Sequence, residues 1–239
     1  MILKFSNYIN RKFKTPDFKN ILFEYAFKQF VNRQVKIDFI PNKYNYFKDI
    51  NGIEKWAYDY NHFFKLQTEK INSLRSTKDE EEEIRIYLYY SGYVSIQIND
   101  YLRNGPENIA FPRLVEENIE LLSNSLSRFK LKNNLIVMRR FPKSKLIPKI
   151  KKGSSYIEKG FISTTLNLSS RLDFECNYKP FKNDCIMILK VPKGTNACYV
   201  EEISKKGEYE LIIQKGQEIQ IERHIKLMSN VLIVGSLVS

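Results

Sequence analysis

The sequence predicts an α+β fold, with helices in the first part of the chain and mainly antiparallel strands in the second. Upstream of Leu135, apolar residues recur at helical spacing; from Leu135 onward, short apolar or alternating runs are separated by Gly, Pro, Asn and Lys. Helices followed by strands, without βαβ alternation, is the α+β order. The chain has 239 residues, of which 43% are hydrophobic and 13% aromatic. That is enough to bury a core without metal or disulfide staples.

In chain order, Thr15-Pro16-Asp17 reads as a helix start, with a cap, a first-turn proline and an acid at the positive dipole end. Phe18, Ile21, Leu22, Tyr25, Ala26 and Phe30 follow at helical spacing, and a turn-rich patch from Pro41 to Tyr46 ends the unit. Residues 1–47 are therefore read as a helical extension and residues 48–239 as the main domain. A second helix is expected from Ile53 to Arg75, burying Trp56, Tyr60, Phe63, Phe64 and Ile71. The acidic run Asp79 to Glu83 suits the first turn of a third, which carries Ile84, Tyr87 and Leu88 and continues past Ser91-Gly92 through Tyr93, Ile96 and Leu102. A fourth spans Leu114 to Phe129. Strands are expected at Leu135 to Met138, Phe161 to Thr165, Cys185 to Val191, Tyr209 to Ile213, Glu218 to Ile221 and Val231 to Val238.

The formal charge of +12 gives a surface that attracts anions. No zinc-finger spacing or RNA-recognition aromatic motif accompanies it, so Lys143, Lys145, Lys149, Lys151 and Lys152 are read as a solvated loop face. Cys176, Cys185 and Cys198 are odd in number and lack metal-binding spacing, which argues against a disulfide framework or a structural zinc and for a reducing compartment. No apolar run reaches the length of a membrane span or of a signal segment.

Three features of the strand-rich half bear on chemistry. Arg139-Arg140 ends the apolar strand Leu135 to Met138, and a guanidinium there can fork onto a pyrophosphate or carboxylate. Such a pair is also a common surface ion pair. Ser163-Thr164-Thr165 places three hydroxyls on one strand, where cross-strand bracing is the ordinary role. Glu208-Tyr209-Glu210 opens another strand, and period-two alternation would put both carboxylates on one side. Two like charges held close raise the proton affinity of at least one, which suits general-base chemistry. A solvated Glu-x-Glu edge is the bland alternative.

Taken in order, Arg139, Ser163-Thr164-Thr165 and Glu208-x-Glu210 resemble the Arg, Ser-Thr-Ser and Glu-x-Glu signature of bacterial ADP-ribosyltransferase toxins. Upstream, Trp56 with Tyr58 to Tyr60, Tyr89-Tyr90-Ser91-Gly92-Tyr93 and Ile98-Asn99-Asp100-Tyr101-Leu102-Arg103 look like that family's helical lead-in. The pattern is most like the enzymatic components of clostridial and bacillar binary toxins, which modify actin. Thr165 stands where the family usually has Ser, and Met138 where an aromatic often precedes the arginine. Residues 1–47 are too short for the full docking domain of a binary-toxin enzyme.

The resemblance implies two packed, mainly antiparallel sheets forming an NAD cleft flanked by N-terminal helices. NAD would be a co-substrate, with no metal. Arg139, assisted by Arg140, would hold the pyrophosphate. Ser163 would orient Glu210, which stabilises the positive charge left on ribose, and Glu208 would deprotonate an acceptor arginine. Asn99, Tyr90 and Arg103 would line the nicotinamide end, with helix packing as the alternative for all three. Arg171 and Phe174 lie in a loop, Leu166 to Asn183, expected to close over NAD, and Val200 to Gly207 is the expected target-recognition loop. The partner would be a host protein, actin by resemblance, reached by a secreted bacterial effector in the host cytosol. A separate translocation component or a larger parent chain would deliver it; neither nucleic acid nor membrane insertion is expected. An NAD glycohydrolase with the same cleft, or a non-catalytic basic binding module, are the competing readings.

Overall fold

Thr77 begins a helix because its side chain satisfies an otherwise orphaned amide of the first turn. Thr77 Oγ1 accepts from Glu80 N at 3.3 Å, and Glu80 Oε2 accepts from Thr77 N at 2.9 Å. This reciprocal cap starts α1 (Lys78–Tyr90), with Asp79, Glu80 and Glu81 at the positive end of the helix dipole. A computed structural model describes residues 29, 33, 44, 45, 47, 49–58, 77–142, 150–167, 184–227 and 230–238. The expected opening helix and Tyr60, Phe63, Phe64 and Ile71 lie outside the described residues. Residues 50–58 are helical.

The third expected helix is two. After α1 the chain turns at residues 91–93, where Ser91 N donates to Tyr87 O at 2.9 Å and Gly92 N to Tyr89 O at 3.0 Å, before α2 (Val94–Asn104) begins. The break re-phases the helical face. Tyr93 and Ile96, read as buried, are exposed, whereas Ile98 and Asn99 are buried. α3 (Pro112–Ser127) follows, with proline in its first turn and Val115, Leu122 and Leu126 inside. Glu83 ties α1 to α3: its buried carboxylate accepts from Ser125 Oγ and Arg128, and Tyr87 Oη lies 2.8 Å from Ser125 Oγ. A buried carboxylate needs such donors to offset its lost hydration.

Eight strands form one hydrogen-bonded sheet: β1 (Leu135–Pro142), β2 (Ser155–Glu158), β3 (Ile162–Thr165), β4 (Asp184–Val191), β5 (Ala197–Tyr199), β6 (Glu210–Ile213), β7 (Gln217–Leu227) and β8 (Asn230–Leu237), in the order β2-β7-β8-β4-β1-β3-β6-β5. Among these eight described strands, β4 and β8 pair in parallel and the other ladders are antiparallel. A single-turn helix, α4 (Glu201–Ser204), joins β5 to β6. Where two packed sheets were expected, the described strands join in one ladder, in which β1 and β3 share the register pair Met138↔Thr165. Asn45 bridges to Leu135 of β1: Asn45 N donates to Asn134 O at 2.8 Å and Ile136 N to Asn45 O at 3.0 Å.

One core cluster contains Leu135 and Val137 of β1, Met187 and Leu189 of β4, and Ile233 of β8, with Trp56 packed on it between Phe47 and Tyr199. The other packs Ile212 and Cys198 against Tyr87, Tyr90, Ile98, Leu122 and Leu126 of the helices. Each fully buried Leu or Ile contributes about 1.5–3 kcal/mol.

Gly235 in β8 allows the closest strand approach, since a Cβ there would lie 2.9 Å from Gln220 O and 3.1 Å from Ile219 Cγ2. Gly235→Ala is expected to destabilise the fold by about 1–3 kcal/mol through overpacking, measured by urea denaturation. An unchanged midpoint would mean that β7 yields to the extra methyl.

Candidate active site

In the antiparallel pairing of β3 with β6, Thr165 faces Glu210 and Ser163 faces Ile212. Residues paired across a ladder share a face, so Ser163 and Glu210 are diagonal neighbours on one side. The Ser163 hydroxyl donates to Glu210 Oε1, and Glu210 is only 3% exposed. Thr164 Oγ1 donates to Leu211 O at 2.8 Å, and Thr165 Oγ1 to Glu208 O at 2.6 Å. All three hydroxyls thus hold the segment from Glu208 to Leu211. The two threonines brace backbone, and Ser163 reaches a carboxylate.

The strand alternation expected to set Glu208 and Glu210 on one side does not extend to Glu208. β6 begins at Glu210, and Tyr209 has φ 50°, a left-handed conformation. Period-two alternation does not extend through such a residue. Glu210 is buried and Glu208 half-buried.

A cleft of about 850 Å³ opens where the β1–β3 ladder ends. Its lining includes Asn99 and Arg103 from α2, Arg139 and Phe141 from β1, Tyr156 and Glu158 from β2, and Ser163. Arg139 lies 5.7 Å from the Phe141 ring centroid, two residues along the same strand face. Arg140, expected to assist, is not among the cleft residues, because adjacent strand residues point to opposite faces. Arg103 Nε donates to Glu158 Oε1 at 2.9 Å, and the same oxygen accepts from Gly160 N at 3.0 Å.

Tyr90, expected to stack in the cleft, is fully buried and takes the helix-packing role. Its hydroxyl donates to Phe161 O at 3.2 Å and accepts from Asn99 Nδ2 at 2.9 Å, and its ring meets Phe161 edge-on at 5.6 Å. Burial pushes the phenol pKa up, so it stays protonated as a donor. Tyr90 thereby orients Asn99, whose Oδ1 is buried and has no hydrogen-bond partner among the described residues. Arg171 and Phe174 lie outside the described residues. Among the described residues, no group of three His, Cys, Asp or Glu side chains could hold a metal, and no helix is long and apolar enough to cross a membrane.

Sequence reasoning missed Tyr156 and Glu158. Their four-residue strand alternates exposed and half-buried positions, too short and too polar to register as an apolar run. The legible signal was Gly160, two residues on. A Cβ there would lie 2.5 Å from Asn99 Oδ1 and 3.1 Å from Arg103 Nη2. Gly160→Ala is therefore expected to push α2 outward and destabilise the chain by about 1–3 kcal/mol, read by urea denaturation. An unchanged midpoint would show that Asn99 and Arg103 swing aside freely.

The ADP-ribosyltransferase exoenzyme family model matches residues 54–233. Among solved structures, the chain is similar to the C3 exoenzyme of Clostridium limosum, with a TM-score of 0.62 and 20% identity over 83% of this chain and 99% of that one. It is similar to BECa, an ADP-ribosylating toxin of a binary enterotoxin of C. perfringens solved with NADH (TM-score 0.62, 22% identity), covering 82% of this chain and 50% of that one. It is also similar to C3stau2 of S. aureus, solved with NAD, with a TM-score of 0.59 and 16% identity over 82% of this chain and 99% of that one. A search of curated protein sequences finds no match. With three quarters of its length spanned by the family model and this fold shared, the chain belongs to the ADP-ribosyltransferase exoenzyme family.

Proposed function

We propose that the chain is a mono-ADP-ribosyltransferase that cleaves NAD between nicotinamide and ribose and transfers ADP-ribose to an arginine of a host protein. The observation that carries this reading is the Ser163 hydroxyl donating to the buried Glu210 carboxylate beside a cleft that also takes Arg139. Family membership and two structural neighbours solved with NADH and with NAD support the choice of substrate. On this reading the catalytic unit is residues 48–239 and residues 1–47 are a helical extension to it.

The roles follow from the chemistry of the groups. Arg139 supplies the fork that matches a pyrophosphate, and Arg103 a second guanidinium on the facing wall. Asn99 Oδ1 offers an acceptor to the nicotinamide end. Glu210 presents a held negative charge to the positive charge that develops on ribose as nicotinamide leaves. Glu208 removes a proton from the acceptor, since a guanidinium whose pKa lies above about 12 is no nucleophile. Actin leads as the target on the binary-toxin resemblance, and the proposed setting is a secreted bacterial effector acting in the host cytosol.

Nicotinamide release from NAD alone, run beside label incorporation into agmatine, tests the reading. Glu210→Gln is expected to lower both activities by about 100-fold or more, the equivalent of an electrostatic contribution near 3 kcal/mol. Glu208→Gln is expected to abolish transfer while hydrolysis persists. If Glu208→Gln labels agmatine as well as the parent does, the arginine assignment fails. If the parent releases nicotinamide but labels neither agmatine nor any host-lysate protein, the glycohydrolase reading replaces it.

A further inference from the structure

The segment that carries Glu208 is built from backbone conformations that side chains disfavour. Lys205 has φ 49°, Gly207 φ 67° and Tyr209 φ 50°, and Lys205 and Tyr209 are the only non-glycine residues with positive φ among the described residues. In a non-glycine residue this conformation is strained and persists only where its surroundings over-determine it. From β3, Thr165 Oγ1 holds Glu208 O at 2.6 Å, and Leu166 N holds Tyr209 O at 3.1 Å. From within the loop, both oxygens of one carboxylate hold the amides. Glu201 Oε1 accepts from Gly207 N at 2.5 Å, and Glu201 Oε2 from Tyr209 N at 2.7 Å.

Those two amides belong to the residues on either side of Glu208. We propose that Glu201 is the positioning residue of this loop: by clamping Gly207 and Tyr209 it fixes Glu208 for the acceptor guanidine, and so sets how ADP-ribose divides between protein and water. The inference rests on the transferase reading above. Glu201 is absent from the cleft lining and is therefore assigned a positioning role. Its two hydrogen bonds are charge-assisted, the stronger kind. A displacement of about 1 Å at a reacting group can cost on the order of 100-fold, so loosening this clamp falls on the step that Glu208 serves.

Glu201→Gln keeps the size and one acceptor but turns an NH2 toward the second amide, and Glu201→Ala removes both acceptors. In the full chain, the ratio of agmatine labelling to nicotinamide release is expected to fall roughly tenfold or more in Glu201→Ala and less in Glu201→Gln. Hydrolysis without acceptor should stay within about threefold of the parent, because Ser163 and Glu210 keep their bond. Amide hydrogen exchange at Gly207 and Tyr209 should quicken in the same order. Should Glu201→Ala fail to fold, Glu201→Gln decides. A parent-like ratio in Glu201→Gln, or an equal fall of both activities, overturns the clamp while leaving the transferase reading standing. A parent chain that hydrolyses NAD but never labels agmatine overturns the arginine reading and the partition role together.

Discussion

The short β3–β6 ladder, with the Ser163 hydroxyl on the Glu210 carboxylate, is the constraint on which the rest of the site depends. Taking a carboxylate out of water is costly unless donors replace the lost hydration. Ser163 is such a donor, delivered by strand register. The same strand holds the backbone of Glu208 and Leu211 through Thr164 and Thr165. Three consecutive hydroxyls therefore fix one carboxylate directly and the path of the other through its main chain. A Ser-Thr-Thr run on a central strand is well suited to this, since alternate residues reach side-chain and backbone partners on the neighbouring strand.

The opposite wall of the cleft is set by contact of a different kind. Asn99 and Arg103 sit one helical turn apart on α2, and the bare Cα of Gly160 lets that face press against the sheet. Tyr90 and Glu158 then orient the two side chains, Tyr90 through Asn99 Nδ2 and Glu158 through Arg103 Nε. Neither partner carries the chemistry proposed for the site. Each holds one end of a polar side chain in this wall, which is how a buried wall is preorganised for a polar substrate.

Much of this arrangement was legible in the sequence. The α+β order and the apolar β1, β3, β4 and β8 follow from periodicity along the chain, and Ser163 and Glu210, singled out by the family resemblance, are in hydrogen-bond contact. What escaped did so for local reasons. Helical spacing runs through Ser91-Gly92 without a visible gap, so the break and the re-phased burial of Ile98 and Asn99 were hidden. Strand alternation does not describe the path to Glu208, because the left-handed Tyr209 is a tertiary consequence, held by Glu201 and Leu166 and not by any propensity of tyrosine. Strands β2 and β5 are too short to leave a periodic trace, and with β2 went Glu158 and Tyr156. Arg140 was drawn into the site by adjacency in sequence, where strand alternation turns it from the cleft, and Tyr90 meets the site as the buried hydrogen-bond partner of Asn99.

In the proposed mechanism Ser163 acts by orienting Glu210, and steady-state turnover of Ser163→Ala on NAD, measured beside its NAD affinity by calorimetry, tests this role. Loss of one hydrogen bond to a charged group, about 1.5–3 kcal/mol, predicts a fall in nicotinamide release of roughly 10- to 150-fold with NAD affinity nearly unchanged. Turnover equal to the parent's, or a loss of NAD affinity that accounts for the whole effect, would contradict it.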